Sequence, residues 1–322
     1  MTVSIIIAVK TWQKNLEECV ARCLELDYPD FEIIILPDAE IGTVPVFKGI
    51  VPISFIPTGP LKPSDKRDIA LKHAKGQILA FIDDDAYPVK GWLKAALANF
   101  SDPEVAAVGG PAVTPIDDSW RQKASGIVYE SWLMSGQHRY RYISGRKTEV
   151  DDYPSCNLLV RKSVMDELGG FDTKFWPGED TKLCLDITHK LKKRIVYDPA
   201  VLVSHHRRKI YLAHLKQISS YGLHRGYFVK KYPETSLRLS YFLPSVFVLG
   251  LVLGGVLSML NPWLKTVYLS CLGLYLLLAF ISSLSKELQL IFPVFFAIIF
   301  SHITYGIFFL KGLLSGRLSE GK

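Results

Sequence analysis

The sequence predicts an α/β domain built on a parallel sheet, followed by an all-α membrane region. Three observations carry this. Over the first hundred residues, short β-rich runs alternate with segments of helical period. The β-rich runs are apolar throughout instead of every second residue, as strands covered on both faces are. After Leu239 come three long stretches, Leu239–Leu264, Thr266–Ser285 and Leu288–Leu310, with no Asp, Glu, Lys or Arg.

Taken in order, Val3–Val9 is the first strand. Asn15, with Glu18 three residues later, has the form of a capping box opening a helix over Leu16–Leu26. Tyr28-Pro29-Asp30 ends that helix, and Phe31–Leu36 is a second buried strand. Ser64–Lys75 reads as a helix closed by Gly76, and Gln77–Ile82 as a third strand. Strands separated by helices imply a parallel sheet, and such sheets bind ligands beyond the carboxyl ends of their strands. That rule singles out Val9-Lys10-Thr11, Pro37-Asp38 and Asp83-Asp84-Asp85. The middle of the chain, Gly109–Asp152, has poor periodicity and reads as a long irregular, functional stretch. A helical region follows Arg161, and another spans Thr181–Leu191.

Each uncharged C-terminal stretch is about as long as a helix rising ~1.5 Å per residue needs to cross a ~30 Å hydrocarbon core. The chain carries a formal net charge of +7, and between Lys190 and Lys231 eleven Lys or Arg stand against Asp198 alone. Cations just before a first span favour the cytoplasmic side and anionic headgroups. A nucleic-acid partner is not indicated, because no recognition motif accompanies the basic run. Three spans would leave Lys311 and Arg317 on the far side, against the positive-inside tendency, unless one segment is re-entrant or lies in the interface. Tyr211–Lys231 reads as an interfacial helix leading to the first span. His302, alone among ionisable groups within the spans, reads as packed or hydrogen-bonded between helices and gives little for a permeation path. Five scattered cysteines, an odd number, argue against a disulfide framework and fit a reducing compartment. The apolar run Val3–Val9 is too short for a signal peptide.

Asp83-Asp84-Asp85 is the sharpest local feature. Clustered carboxylates repel one another, and a hard divalent cation relieves that cost. Standing alone, the triplet fits a solvated acidic turn before Pro88 equally well. Glu179-Asp180 follows Pro177-Gly178 at a helix start, where an acid can be a cap or a general base. Farther on stand His205-His206-Arg207-Arg208. A neutral imidazole can ligate a metal, and arginine can neutralise phosphate.

Together these pieces resemble the inverting family-2 glycosyltransferases, over Val3 to about Tyr232, with motifs in the right order. Ser4 to Val9 matches the opening strand, with Ala8 in place of the usual proline. Ile33 to Asp38 matches the strand ending in a nucleobase-contacting aspartate, although the usual second acid and Gly-Ser are missing. Lys66-Arg67-Asp68 matches a basic element on the nucleotide, with Asp68 where asparagine is common. Phe81 to Asp85 matches the DxD strand end, Cys156 to Lys162 the strand lining the donor-sugar pocket, and Gly178-Glu179-Asp180 the ED motif.

The resemblance implies a GT-A fold, a Rossmann-like nucleotide-diphospho-sugar transferase domain. It implies a donor site of Val9, Lys10, Asp38, Lys66, Arg67, Asp83 and Asp84, and a sugar or acceptor pocket with Cys156, Asn157, Arg207 and Arg208. Asp83, Asp85 and His205 would bind Mg²⁺ or Mn²⁺, Asp180 would be the catalytic base, and Glu179 would position the acceptor or a neighbouring side chain. The donor is a nucleotide-diphosphate sugar, with uridine diphosphate the commonest nucleotide, and a polyprenyl-linked glycan suits an acceptor site held near lipid. The Gln-x-x-Arg-Trp signature of processive synthases is absent, and Gln217 to Tyr221 occupies that region without the Arg-Trp pair, which favours single-sugar addition. The expected domains are a catalytic 1–209, an interfacial 210–238, a membrane region 239–314 and a polar tail 315–322. The whole would be a multi-pass protein of the cell membrane with its catalytic domain facing the cytoplasm. A sugar-phosphate nucleotidyltransferase is the competing enzyme reading, but Lys10-Thr11-Trp12-Gln13 lacks the glycine-rich loop such enzymes use. A non-catalytic scaffold is the competing non-enzyme reading, and intact acidic motifs speak against decay.

Overall fold

The structure, a computed structural model, describes residues 1–42, 51–173 and 175–318. The last four positions of the expected polar tail lie outside the described residues. Along the chain run β1 (Val3–Ala8), α1 (Lys14–Leu24), β2 (Phe31–Leu36), β3 (Ile53–Phe55), α2 (Pro63–Leu71), β4 (Ile78–Ile82), β5 (Ala86–Pro88) and α3 (Trp92–Asn99). Then come β6 (Val105–Gly109), β7 (Ala112–Val113), α4 (Trp120–Glu130), α5 (Trp132–Ser135), β8 (Thr148–Val150), β9 (Asn157–Arg161), α6 (Lys162–Leu168), α7 (Glu179–Leu185), β10 (Arg194–Tyr197) and β11 (Val203–His205). The rest is helical: α8 (Leu212–Lys231), α9 (Pro233–Ser236), α10 (Leu239–Ser258), α11 (Pro262–Ser283) and α12 (Ile291–Leu314).

The described chain divides into two compact units, Met1–Val113 with Ile143–His206, and Thr114–Tyr142 with residues 207–318. The first holds an eight-stranded sheet ordered β3-β2-β1-β4-β9-β6-β10-β8 and a small sheet ordered β5-β11-β7. Ile5, Ile6 and Ile7 are all fully buried, as expected of a continuously apolar strand covered on both faces. On one face Ile5, Ile7, Ile33 and Ile35 pack with Leu16 and Val20 of α1 and with Trp92 and Leu93 of α3.

Two expectations are corrected. The sheet is mixed: β1 is parallel to β2 and β4, but β9 runs antiparallel between β4 and β6. An apolar run such as Leu158–Val160 is equally suited to either direction, so composition could not report the reversal. Asn15 does not cap α1. The helix begins at Lys14 after Gln13, and Glu18 is instead bonded to the ring of His206 at 3.2 Å.

In the second unit three helical segments, Leu239–Ser258, Pro262–Ser283 and Leu288–Leu314, are long and apolar enough to cross a membrane. Within the expected irregular stretch Gly109–Asp152, two helical segments form, α4 and α5. Helix α8 lies close along α12 because both carry glycines at the contact. A Cβ on Gly226 would stand 2.1 Å from the Phe309 carbonyl oxygen, and one on Gly312 would stand 2.0 Å from that of Leu223. Small residues at such contacts let helix backbones approach. His302 bridges helices, its Nδ1 with Tyr275 Oη at 2.9 Å and its Nε2 with the Leu133 carbonyl at 3.2 Å.

Candidate active site

Asp83 ends β4, and a tight turn in which Ala86 N donates to the Asp83 carbonyl (3.1 Å) leads straight into β5. Strand β5 pairs antiparallel with β11, opposing Ala86 to His205. His206 N then donates to the Asp85 carbonyl at 2.9 Å. This ladder brings an imidazole from far along the chain onto the acidic turn: His205 Nε2 lies 3.1 Å from Asp85 Oδ1. One ligand atom from each of Asp83, Asp85 and His205 fits within 4.8 Å of the others. Asp84 accepts from Gln13 Nε2.

Buried cations tie this cluster to its neighbours. Arg67, 3% exposed, donates from one terminal nitrogen to Asp83 Oδ1 at 2.8 Å and from the other to Glu179 Oε1 at 3.1 Å. One guanidinium therefore joins the β4 acids to the start of α7. Glu179 also accepts from Gly178 N at 3.0 Å. Burial first, then the neighbouring Asp180, pushes the Glu179 carboxyl up to about 7, against the pull of Arg67. Asp180 is half-buried, and its Oδ1 accepts from Thr181 N at 2.8 Å. It lies inside the first turn of α7, whose cap is Gly178 at φ 121°, so the N-cap position is not its own.

Lys66 performs the same service at the ends of β1 and β2. Its Nζ donates to the Val9 carbonyl at 2.5 Å and the Leu36 carbonyl at 3.1 Å, and pairs with Asp38. Asp38 N donates to the Lys10 carbonyl at 3.1 Å, while the Lys10 side chain is exposed. Val9, Lys10, Asp38, Lys66, Arg67 and the acids of β4 thus gather at the carboxyl edge of the parallel strands, where such sheets take ligands.

Residues 4–169 match the family model for glycosyl transferase family 2, more than half of this chain of 322 residues. The chain belongs to glycosyl transferase family 2. It is 31% identical to the pre-mycofactocin glycosyltransferase of Mycobacterium tuberculosis over 146 residues, 45% of this chain but 30% of that protein's length. It is 22% identical, over 98% of both chains, to a dolichyl N-acetyl-alpha-D-glucosaminyl phosphate 3-beta-D-2,3-diacetamido-2,3-dideoxy-beta-D-glucuronosyltransferase of Methanococcus voltae. Among solved structures it resembles the mannosyltransferase PcManGT of Pyrobaculum calidifontis, in complex with GDP-Man and Mn²⁺. There the TM-score is 0.57 at 17% identity, over 98% of this chain and 88% of that one. The latter likeness carries the fold, a GT-A-like mixed α/β core followed by helices.

Within this family-2 chain, the four residues expected to line the sugar or acceptor pocket are placed differently from the donor-site set. Asn157 is fully buried and its amide is spent on the fold. It donates to the carbonyls of Gly110 (2.6 Å) and Val201 (2.7 Å) and accepts from Trp92 Nε1 (2.9 Å). Cys156 is half-buried against the main core. Arg207 belongs to the second unit. Its guanidinium stacks on Tyr129 and Tyr142, 5.7 and 5.2 Å from the ring centroids, and Arg208 beside it is exposed. Asp68, noted in the sequence for standing where asparagine is common, accepts from Phe171 N at 2.8 Å, and burial pushes its carboxyl up to about 6.

The contacts of Gln13 with Asp84 and of Glu18 with His206 had no signal in the sequence. Gln13 stands at the N-cap position of α1 and Glu18 in its second turn, and the fold alone makes them neighbours of Asp84 and His206.

Proposed function

We propose that this chain is a membrane-bound, inverting glycosyltransferase moving a sugar from a nucleotide-diphosphate donor, foremost a UDP-sugar, to a lipid-linked acceptor. The observation that carries the reading is the continuous set Asp83–Asp85–His205, bridged by Arg67 to Glu179 and so to Asp180. Catalysis belongs to the region 1–209, and membrane attachment to 239–314. The sugar-transferring domain faces the cytoplasm, where nucleotide sugars are made.

Two carboxylates and an imidazole with ligand atoms inside 4.8 Å form an oxygen-rich set that suits Mg²⁺ or Mn²⁺. When bound there, such an ion would neutralise charge developing on the donor diphosphate. Asp83, Asp85 and His205 would hold it. Lys66 and Asp38, laced to the ends of β1 and β2, would seat the nucleoside. Asp180 would accept the proton of the acceptor hydroxyl as its oxygen forms a bond to the anomeric carbon from the face opposite the diphosphate. The bond from that carbon to the diphosphate oxygen breaks, the nucleoside diphosphate leaves, and the configuration inverts. Glu179, drawn toward neutrality by burial, relieves repulsion beside Asp180 and fixes the start of α7 through Gly178 N. The solved relative that binds GDP-Man with Mn²⁺ and the dolichyl-phosphate enzyme of Methanococcus voltae support the donor class and the acceptor class respectively.

The deciding experiment pairs a donor-hydrolysis screen, over nucleotide sugars with Mg²⁺ or Mn²⁺, with the variant Asp180→Asn. Loss of a general base costs roughly 10²–10⁴-fold in turnover, whereas donor affinity and thermal stability should stay near wild type. Transfer by Asp180→Asn at close to the wild-type rate would remove the base from the mechanism.

A further inference from the structure

Helices α10 and α11 form an antiparallel hairpin. Phe247 stacks near Tyr275 with centroids 4.1 Å apart, and farther up Tyr268 Oη donates to the Leu251 carbonyl at 3.4 Å. The hairpin touches the rest of its unit at one end. Its buried residues are Ser245 on α10 and Ala279, Ser282 and Ser283 on α11, all remote from the tip. At the tip Met259 is 87% exposed, Leu260 74% and Trp263 71%.

The contacts of α12 with the two arms run from that base to Phe247 and Tyr275, about half-way up each. On α10, Phe242 pairs with Phe309 and Ser245 with the Gly306 carbonyl. On α11, Phe280 pairs with Phe295 and Tyr275 with His302. Going from His302 toward either end of α12, the partners move away from the hairpin tip. A straight helix antiparallel to one arm would be parallel to the other, so α12 must lie across the hairpin.

Its flanks agree. Along its first half, α4 is anchored by Lys123 to Glu287 at 2.8 Å and by Ala124 and Val128 packed with Val294, Ala297 and Ile298. Along its second half, α8 runs parallel, from His214 beside Ser301 to Lys230 Nζ, 2.6 Å from the Ser315 carbonyl. Lys216, Lys230 and Lys231 of α8 are exposed, and charged residues are costly in hydrocarbon. The exposed apolar residues of α12 are Phe292, Phe296, Phe300, Ile307 and Leu314. At 3.6 residues per turn they fall within a stripe about 80° wide, opposite the buried Val294, Ser301 and Gly312. Helix α12 therefore turns one apolar stripe outward and packs its opposite side on protein.

We infer that the chain crosses the bilayer twice, through the α10–α11 hairpin, and that α12 lies in the headgroup plane with α4 and α8 as a platform against the lipid surface. Lys311 and Arg317 then stand on the same side as Lys216, Arg225, Lys230, Lys231 and Lys286, and Lys265 alone of these cations emerges beyond the tip. That distribution obeys the positive-inside tendency, which three spans violate. The inference rests on the membrane reading proposed above.

The test is labelling of the full chain in sealed inverted and right-side-out vesicles with a membrane-impermeant maleimide. The background is Cys271→Ser, which removes the exposed thiol of α11, and the single reporters are Lys216→Cys, Asn261→Cys and Arg317→Cys, with Leu314→Cys as a second reporter for the end of α12. Carbonate washing first checks that the chain is integral. The expected result is labelling of the 216, 314 and 317 reporters in one vesicle orientation and of the 261 reporter only in the other. Labelling of 314 and 317 together with 261 would make α12 a third span and overturn the inference. Labelling of 261 together with 216 would mean that the hairpin does not cross, and would overturn it equally. Release by carbonate would instead overturn the membrane reading itself, and this topology with it.

Discussion

Replacing Arg67 by methionine tests the electrostatic bridge at the centre of the site. Methionine keeps an unbranched stem beside Phe171 but removes the donors to Asp83 and Glu179. Stranding one charge of a buried pair commonly costs ~3–5 kcal/mol. Here protonation of Glu179 caps the loss. Its native pKa already stands at about 7 through burial, against an ordinary 4.5, and Arg67 is among the groups holding it down. Without Arg67 it titrates higher still. A carboxyl raised in the native state contributes stability that is fully present below its unfolded pKa and is lost as pH climbs through the native one. In wild type that loss is complete shortly above pH 7; in the variant it continues upward. At about pH 8.5 the extra deficit is therefore capped near 2 kcal/mol, at 1.36 kcal/mol per unit over the interval above 7. At about pH 5.5 both proteins hold Glu179 protonated and this deficit vanishes. Asp83, partly exposed, adds roughly 0–1 kcal/mol at either pH. At about 2–4 °C per kcal/mol, Tm should fall by about 5–10 °C at the higher pH and by no more than about 4 °C at the lower. Thermal unfolding of the detergent-solubilised chain, in EDTA at both pH values, measures this. Equal losses at the two pH values would refute the coupling of Arg67 to a titrating Glu179.

Two further outcomes are expected. Asp85→Asn should abolish Mn²⁺-dependent donor binding, read by calorimetry, with Tm near wild type, and wild-type donor affinity that is unchanged in EDTA would remove the cluster from that role. Asn157→Ala strands the Trp92 indole N–H and leaves the Val201 carbonyl short of a donor, while the Gly110 carbonyl keeps the Tyr153 hydroxyl. At about 1–3 kcal/mol for each of the two stranded groups, the loss should be at least about 2 kcal/mol, seen as poor folding and a lowered Tm before any selective change in kinetics.

Those residues also mark what the sequence could and could not disclose. Strands β1, β2 and β4 were legible because burial on both faces demands continuous apolar runs, and the acids after β2 and β4 stood out against those runs. The direction of β9 was not legible, since Leu158, Leu159 and Val160 fill a buried strand equally well whichever way it runs. Asn157 shows the limit from the other side. A polar residue opening an apolar strand looks like a pocket residue in one dimension, yet its partners Gly110 and Val201 lie 47 and 44 positions away, and only the fold reveals that they take both of its amide donors.

The helical region shows the same division between composition and arrangement. Three uncharged stretches of spanning length look alike as sequences, because length and hydropathy measure what a helix could cross, not what it packs on. What separates α12 from α10 and α11 is the side on which it is apolar and exposed. Its buried face carries Ser301, Gly306 and Gly312 at spacings that admit α8 and α10, and its outward face is a phenylalanine-rich stripe. A helix wrapped by a lysine-bearing neighbour along one half, and by an ion-paired α4 along the other, has partners that hydrocarbon would not tolerate. The placement of α12 therefore follows from its neighbours' charges more than from its own hydrophobicity. This is why Lys311 in its last turn and Arg317 beyond it, awkward for three spans, fall on the favoured side once it is laid flat.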